Sequence, residues 1–97
     1  MIVYIAGPIT GTQDYKERFS KAEQRLRSEG HIVLNPTVLP VGMPYESYFP
    51  ICFAMIDAAD KIYFLRGWEK SRGARDEFRY STSKRKIIEL DRRAQNE

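Results

Sequence analysis

Four short apolar runs, separated by segments with helical spacing, constrain the fold of this chain more than any other feature. The first run, Ile2–Ala6, is rich in β-branched residues and has no polar alternation, which is typical of a strand buried on both faces of a sheet. Similar runs predict strands at 31–34, 61–65 and 86–90. Strands that alternate with helices through short connections form parallel sheets with helices on both faces. The sequence therefore predicts an α/β, flavodoxin-like (Rossmann-like) three-layer sandwich with four parallel strands in the order 2-1-3-4.

Three helices are predicted between these strands. The first places apolar side chains at helical intervals and ends in a left-handed cap at Gly30. The second begins near Ser47 and accepts Pro50 only in its first turn, because proline removes an intrahelical hydrogen bond further along. The third runs from about 72 to 83. The apolar positions expected on the buried faces of the first two helices are Tyr15, Phe19, Ala22, Leu26, Phe49, Cys52, Phe53, Met55, Ile56 and Ala59.

The size and composition predict one globular domain spanning residues 1–97, with a frayed polar tail at 91–97. No apolar run approaches the roughly 20 residues of a membrane helix, and Ile2–Ala6 is too short for a signal peptide. We therefore expect a cytoplasmic protein without a membrane partner.

With one cysteine, Cys52, and one histidine, His31, an internal disulfide is excluded and a zinc site lacks its usual ligands. No metal or cofactor is predicted.

The net charge of +3 is concentrated in the second half of the chain. Residues 61–97 contain eleven Lys and Arg against six Asp and Glu, whereas residues 1–60 contain five against seven. This asymmetry favours an anionic ligand. It is also compatible with nucleic acid, although no stacking platform or recognised nucleic-acid motif accompanies it. The alternative is that runs such as residues 84–86 are solvated helix faces.

The predicted topology also locates the ligand site. In such sheets, ligands bind beyond the carboxyl ends of the strands where the winding reverses, here between the first and third strands. Residues 4–10 are thereby brought beside residues 65–77. His31 opens the second strand and Asp60 precedes the third, so both are expected at the opposite end, where Asp60 is a turn or capping residue. The loop of residues 36–44, rich in turn formers, is a candidate lid.

The segment of residues 68–77 is predicted to be a loop that closes on a helix N-terminus. Ser71 can cap that helix, and the small residues Gly73 and Ala74 leave backbone amides open to a polar or anionic ligand. Trp68 can stack on a base, or it can serve packing or a lid.

Glu77 is the best single candidate for chemistry. A carboxylate about one turn inside a helix at the switch point lies beside the helix amides and can reach a bound sugar. As a helix-surface residue, Glu77 can instead be an ion-pair partner of Lys70 or Arg72. Spacing alone leaves both interpretations open. Cys52, in contrast, fits a small apolar core residue.

The loop after the first strand, Gly7-Pro8-Ile9-Thr10-Gly11, lacks the spacing of a dinucleotide fingerprint or of a P-loop. Gly7 directly follows a buried strand and would let a sugar or base approach the backbone closely. A plain strand-to-helix turn explains the glycine equally well.

Three segments also carry a family resemblance: Val3-Tyr4-Ile5-Ala6-Gly7-Pro8-Ile9-Thr10-Gly11, Ala59-Asp60 before an apolar strand, and Gly67-Trp68-Glu69-x-Ser71-x-Gly73-Ala74-x-x-Glu77. Together they resemble the nucleoside 2-deoxyribosyltransferase superfamily, and more narrowly the small phage and bacterial domain family DUF4406. The similarity runs from the first residue to the fourth strand. It implies a flavodoxin-like fold and cleavage of the N-glycosidic bond of 2-deoxynucleosides or their 5′-monophosphates.

The resemblance implies roles for individual residues. Glu77 matches the nucleophile that attacks the anomeric carbon and forms a glycosyl-enzyme intermediate, and Tyr4 matches the tyrosine that orients it. Ser71 stands where transferases of free nucleosides have Asp and monophosphate hydrolases have Ser, which implies a 5′-monophosphate. The implied substrate-binding residues are Gly7, Pro8, Ile9, Trp68, Ser71, Gly73 and Ala74.

One position departs from the family pattern. Eight residues before Asp60, where the active enzymes carry an aspartate that assists the sugar and base, this chain has Cys52.

The leading hypothesis is a nucleotide N-glycosidase or deoxyribosyltransferase-like enzyme. The alternative hypothesis is a catalytically weak or inactive nucleotide-binding module of the same fold. A third, less favoured hypothesis is a nucleic-acid-binding accessory protein. The expected partners are a small-molecule nucleoside or nucleotide and further copies of the chain, in a homodimer or larger homo-oligomer.

Overall fold

The computed structural model describes residues 1–9 and 11–91. Its elements are β1 (Ile2–Ala6), α1 (Tyr15–Ser28), β2 (Ile32–Leu34), a 3-10 turn (Pro36–Val38), α2 (Tyr45–Ala58), β3 (Lys61–Phe64), a second 3-10 turn (Trp68–Lys70), α3 (Arg72–Ser83) and β4 (Ile87–Leu90). Each strand begins and ends within one residue of its predicted limits. The predicted fraying of the tail falls outside the described residues, apart from Asp91. No described helix is long and apolar enough to cross a membrane.

The four strands form one parallel sheet in the order β2-β1-β3-β4, which confirms the predicted topology. β1 is an inner strand, and its residues Val3, Tyr4, Ile5 and Ala6 are all 0% exposed. Tyr4 pairs with Leu34 of β2 on one side and with Ile62 of β3 on the other. Both faces of β1 are covered, which explains why its sequence shows no polar alternation.

Helices cover the two faces of the sheet as separate layers. The layer on the α1 side contains Val3, Ile5, Phe19, Ala22, Leu26, Val33, Tyr63 and Leu65. The layer on the α2 and α3 side contains Tyr4, Ala6, Cys52, Ile56, Ala59, Ile62 and Phe64, with Phe78 and Tyr80 of α3 packed against them. Because successive residues of a strand point to opposite faces, Tyr4 projects toward α2 and α3.

The first helix ends as its glycine predicts. Gly30 has a φ of 93°. The N–H groups of Gly30 and His31 donate to the carbonyls of Arg27 (3.0 Å) and Leu26 (3.1 Å). These two bonds form a Schellman-type helix end, and the predicted left-handed cap is confirmed.

The second helix differs from its prediction at its start. It begins at Tyr45, so that Pro50 is its sixth residue and lies beyond the first turn. The prediction for Pro50 is therefore wrong. A proline at this position leaves the carbonyl of Glu46 without its intrahelical partner. Glu46 and Pro50 are both exposed, so water can bond to that carbonyl.

The loop of residues 36–44 is tied to α2 by Tyr48. The Tyr48 hydroxyl donates to the carbonyl of Pro40 (2.7 Å) and accepts from the N–H of Met43 (3.3 Å). At the start of the loop, the buried side chain of Asn35 accepts from the N–H of Thr37 (2.9 Å). The two Tyr48 bonds hold the loop beside α2, and its role as a lid stays a prediction.

Candidate active site

The inner strand β1 and the third helix meet at a tyrosine–glutamate pair in which the tyrosine is buried and the glutamate is half-buried. Tyr4 is 0% exposed, and its hydroxyl donates to Oε2 of Glu77 at 2.6 Å. One turn further along α3, the Ser81 hydroxyl donates to the Glu77 carbonyl at 2.7 Å. The side-chain partner of Glu77 is therefore Tyr4 rather than Lys70 or Arg72. The structure brings the two predicted catalytic residues into direct contact.

Cys52 joins this pair from α2. Its side chain is 8% exposed and belongs to the same apolar layer as Tyr4. The thiol is close enough to the Tyr4 hydroxyl and the Glu77 carboxyl group for both groups to shift its pKa. Cys52 is thus a core residue, as predicted, and also a neighbour of the candidate nucleophile. We refer to these three residues as the Tyr4–Cys52–Glu77 cluster.

Burial controls the protonation of the whole cluster. Desolvation raises the pKa of Glu77 to about 7, although hydrogen bonds from Tyr4 and Cys52 lower it. Desolvation also raises the pKa of the Cys52 thiol to about 11. It raises the pKa of Tyr4 well above the usual 10.0, and the negative charge of Glu77 adds to this shift. At neutral pH the phenol and the thiol keep their protons, while Glu77 exchanges between acid and carboxylate, as a nucleophile or acid–base group requires.

Ser71 caps α3, as predicted. Its Oγ accepts a hydrogen bond from the N–H of Ala74 at 3.2 Å. The Ala74 amide is therefore engaged within the protein, and the amides of Arg72 and Gly73 are the first-turn donors that helix geometry leaves open. The Ser71 hydroxyl accepts in this bond, so its own proton is still available to a ligand.

The loop after β1 packs directly on the loop after β3. A Cβ on Gly7 would lie 2.9 Å from Cβ of Leu65, so packing between the strands requires glycine there without any ligand. Pro8 lies against Gly67, where a Cβ would be 3.6 Å from Cγ of Pro8. Ile9 is 37% exposed. The two loops that the topology was expected to juxtapose are therefore in contact.

Trp68 packs within the protein. Its ring stacks on Phe78 with the centroids 4.6 Å apart, and it contacts Phe64 at 5.1 Å. These contacts support the packing interpretation of Trp68. Stacking of Trp68 on a base stays a prediction.

Tyr45, the first residue of α2, is a site residue that the sequence did not single out. Its hydroxyl lies 3.2 Å from the position of a Cβ on Gly73, and 42% of the residue is exposed. The Arg72 guanidinium lies over the ring, 5.8 Å from its centroid. Tyr45 therefore forms a wall beside the α3 N-terminus and restricts the side chain at position 73. The available signal was an aromatic residue directly after the proline-rich loop.

Asp60 and His31 lie at the end of the sheet opposite the candidate site, and their contacts are structural. Asp60 accepts from the N–H of Ile2 at 2.9 Å and ties β1 to the start of β3, which is a structural contact between strands. His31 lies 3.4 Å from the amino group of Met1. Across residues 1–9 and 11–91, no group of three His, Cys, Asp or Glu side chains is arranged to hold a metal ion.

Known proteins share this architecture. The family model described as a domain of unknown function, DUF4406, matches residues 1–89. A 2-deoxyribosyltransferase from the psychrotolerant bacterium Bacillus psychrosaccharolyticus is 25% identical, with a TM-score of 0.74 over 93% of this chain and 71% of that chain. A 2-desoxiribosyltransferase from Leishmania mexicana is 23% identical, with a TM-score of 0.71 over 92% of this chain and 62% of that chain. No curated protein matches the sequence.

These similarities establish the family and the fold. The parallel sheet of order β2-β1-β3-β4 with three helices matches the Bacillus 2-deoxyribosyltransferase structure. The chain spans less than two thirds of the Leishmania enzyme, with which it shares the fold. Because the family model covers residues 1–89, the chain belongs to the DUF4406 family, as a nucleoside 2-deoxyribosyltransferase-like domain.

Proposed function

We propose that this protein cleaves the N-glycosidic bond of a 2-deoxynucleoside 5′-monophosphate, with Glu77 as the nucleophile. The observation that carries the proposal is the partly buried Tyr4–Glu77 hydrogen bond of 2.6 Å within a deoxyribosyltransferase-like fold. The name of the Bacillus enzyme supports a nucleoside substrate. The Ser71 hydroxyl and the open amides of Arg72 and Gly73 support a phosphate, because a helix N-terminus favours anions.

The geometry of the cluster suits this chemistry. As the base departs, positive charge develops on the sugar, and an ionised carboxylate stabilises that charge and can bond to the anomeric carbon. The Tyr4 hydroxyl holds Oε2 of Glu77 and so orients the carboxylate before the substrate arrives. Water or a second base then displaces Glu77 from the sugar.

Release of free base from deoxynucleoside 5′-monophosphates, followed by chromatography, tests the proposal. We expect the wild-type protein to release base and Glu77→Ala to lose at least about 1,000-fold of that rate, as removal of a nucleophile does. Glu69→Gln is the matched control, since Glu69 is an exposed carboxylate of the same segment and bonds to Arg75 through its backbone carbonyl. Undiminished release by Glu77→Ala would contradict the assignment of the nucleophile.

A nucleotide-binding module of the same fold is the second candidate. Cys52 favours it, because a thiol stands where the resemblance expects an aspartate. Calorimetric binding of deoxynucleoside monophosphates, without any release of base, would support this candidate. Tight, salt-sensitive binding to oligonucleotides, with indifference to mononucleotides, would instead support a nucleic-acid-binding protein.

A further inference from the structure

The packing around Glu77 fixes where the sugar of a substrate can lie, provided that Glu77 is the nucleophile proposed above. Tyr4 and Cys52, which are 0% and 8% exposed, close the inner side of the carboxyl group. Ser81, one turn further along α3, is 0% exposed. Helical side chains lean toward the helix N-terminus, so the half-buried Glu77 carboxyl group faces the turn that contains Gly73. A sugar bonded to Glu77 therefore lies over Gly73.

Tyr45 stands at the solvent side of that space. Gly73 and Glu77 are four residues apart, and residues at this spacing lie on the same face of a helix. The Tyr45 hydroxyl lies 3.2 Å from the position of a Cβ on Gly73, so it reaches the face of α3 that carries the nucleophile. Because 42% of Tyr45 is exposed, a ligand that enters from solvent can contact it.

The hydroxyl is the group of Tyr45 that is left for a ligand. Arg72 lies over the ring, 5.8 Å from its centroid, and Phe49 packs against it at 84° with the centroids 4.9 Å apart. The hydroxyls of Tyr48 and Tyr80 each bond within the protein at 2.7 Å. Within the part of the chain that the structure describes, the Tyr45 hydroxyl has no hydrogen-bond partner.

This hydroxyl keeps its proton at neutral pH. Desolvation raises the pKa of Tyr45 from the usual 10.0, and the negative charges of Asp76 and Glu77 add to the shift. The positive charges of Arg72 and Arg75 oppose the shift without reversing it. Tyr45 is therefore a neutral phenol that can both donate and accept a hydrogen bond.

We propose that the Tyr45 hydroxyl binds the 3′-hydroxyl of the deoxyribose and so determines which sugars the site accepts. A 2-deoxynucleoside 5′-monophosphate has no 2′-hydroxyl, and its 5′-oxygen carries the phosphate, so the 3′-hydroxyl is the one free hydroxyl of the sugar. The ring oxygen is a poor acceptor, because it takes on positive charge as the base leaves. Between Glu77 and the first-turn amides of α3 lies one helical turn, about 5.4 Å, which the sugar has to span beside Tyr45. The site thereby selects nucleotides with a free 3′-hydroxyl over nucleotides linked through that oxygen in a DNA chain.

A pair of substrates that differ only in the 3′-hydroxyl tests this inference. They are the 2′-deoxynucleoside 5′-monophosphate whose base the wild-type protein releases fastest and its 2′,3′-dideoxy analogue. The measured quantity is the ratio of their kcat/KM values, compared between proteins so that the difference in intrinsic lability cancels. Tyr45→Phe should lower the ratio of deoxy to dideoxy substrate about threefold to tenfold, since it removes one neutral hydrogen bond. Tyr80→Phe is the matched control, because it removes a hydroxyl bonded to Asp57 near the far end of α2 and should leave the ratio unchanged.

The outcomes separate this inference from the proposed function. If the wild-type protein releases base and Tyr45→Phe leaves the ratio unchanged, the sugar contact is overturned while the function stands. A wild-type protein that releases base from neither substrate overturns the function. Calorimetric dissociation constants of the same two compounds then decide the inference, and Tyr45→Phe should again lower the preference for the 3′-hydroxyl about threefold to tenfold. An unchanged ratio of dissociation constants, or no binding of either compound, overturns it.

Discussion

At Glu77 the requirements of stability and chemistry oppose each other. Burial raises the pKa of this carboxyl group from 4.5 to about 7 on folding. The folded protein therefore holds the proton more tightly than the unfolded chain does. The resulting stabilisation is complete below pH 4.5 and is lost as the pH rises through 7. At about 1.4 kcal/mol per pKa unit, the free energy of unfolding should fall by up to about 3 kcal/mol across this window.

Denaturant unfolding at several pH values between 4.5 and 8 measures this loss. Other groups also titrate in this range, so the quantity to compare is the difference between wild type and Glu77→Gln. The amide carries no charge at any of these pH values, and the variant should become relatively more stable as the pH rises. A difference that is independent of pH would show that the carboxyl group of Glu77 is not desolvated on folding.

The roles of single residues could be predicted only where the cause is local. Ser71 was predicted as a cap from its place before a helix, because capping involves residues three positions apart. The contact of Tyr4 with Glu77 spans 73 positions and was expected only through the family resemblance. The close approach of Gly7 to Leu65 has no local signal in the sequence, so it could not be predicted.

The first turn of α3 is predicted to select the phosphate through Ser71. Ser71→Asp keeps a capping oxygen for the Ala74 amide, so the free energy of unfolding should change little. Its added negative charge should raise KM for a 5′-monophosphate by at least about tenfold, and leave KM for the free nucleoside within about threefold. Steady-state kinetics on both substrates measure the effect. Equal changes in the two KM values would argue against a phosphate at this helix.

Ser71→Ala is the companion control at the same position. It removes the capping oxygen and should lower the free energy of unfolding by about 1 kcal/mol. Without an added charge, it should affect the two substrates more evenly than Ser71→Asp does.

Whole elements were predictable because their signals are strong and redundant. The β-branched runs located all four strands, and Gly30 located the end of α1. The predicted start of α2 is about two residues too late, because the helix accepts Pro50 beyond its first turn. Pro50 is exposed, so water can bond to the Glu46 carbonyl in place of the lost intrahelical donor. Whether a single residue is buried or exposed cannot be read from a short window of sequence. For the same reason Tyr45, the first residue of α2, falls outside the predicted helix.

At the scale of the whole molecule, the strand order followed from connectivity. Parallel strands joined by right-handed helical crossovers allow few arrangements, and the order β2-β1-β3-β4 is one of them. That order alone brings the loops after β1 and β3 together and so located the candidate site. Connectivity carries no information on which side chains meet inside the apolar layer between the sheet and helices α2 and α3. The approach of Cys52 to Tyr4 and Glu77 therefore needed the packed structure.

The outer surface of α2 leads to a prediction about assembly. The helix is apolar on its inner side, at Cys52 and Ile56, and on its outer side as well. An open apolar groove is lined by Leu34, Pro50, Ile51, Ala54, Met55 and Ala58. An exposed apolar groove of this kind is normally covered by other protein, and the family resemblance leads us to expect a second copy of the chain there.

Light scattering of the purified protein should then give about twice the monomer mass of 11.3 kDa. Ile51→Lys places a charge in the groove and should shift the protein to the monomer, because an unpaired charge is costly to bury. Ile87→Lys is the matched control, since Ile87 is an exposed apolar residue of β4 outside the groove. A wild-type protein that stays monomeric at concentrations of about 100 μM would exclude self-association. A dimer that survives Ile51→Lys but not Ile87→Lys would place the self-association surface outside the groove.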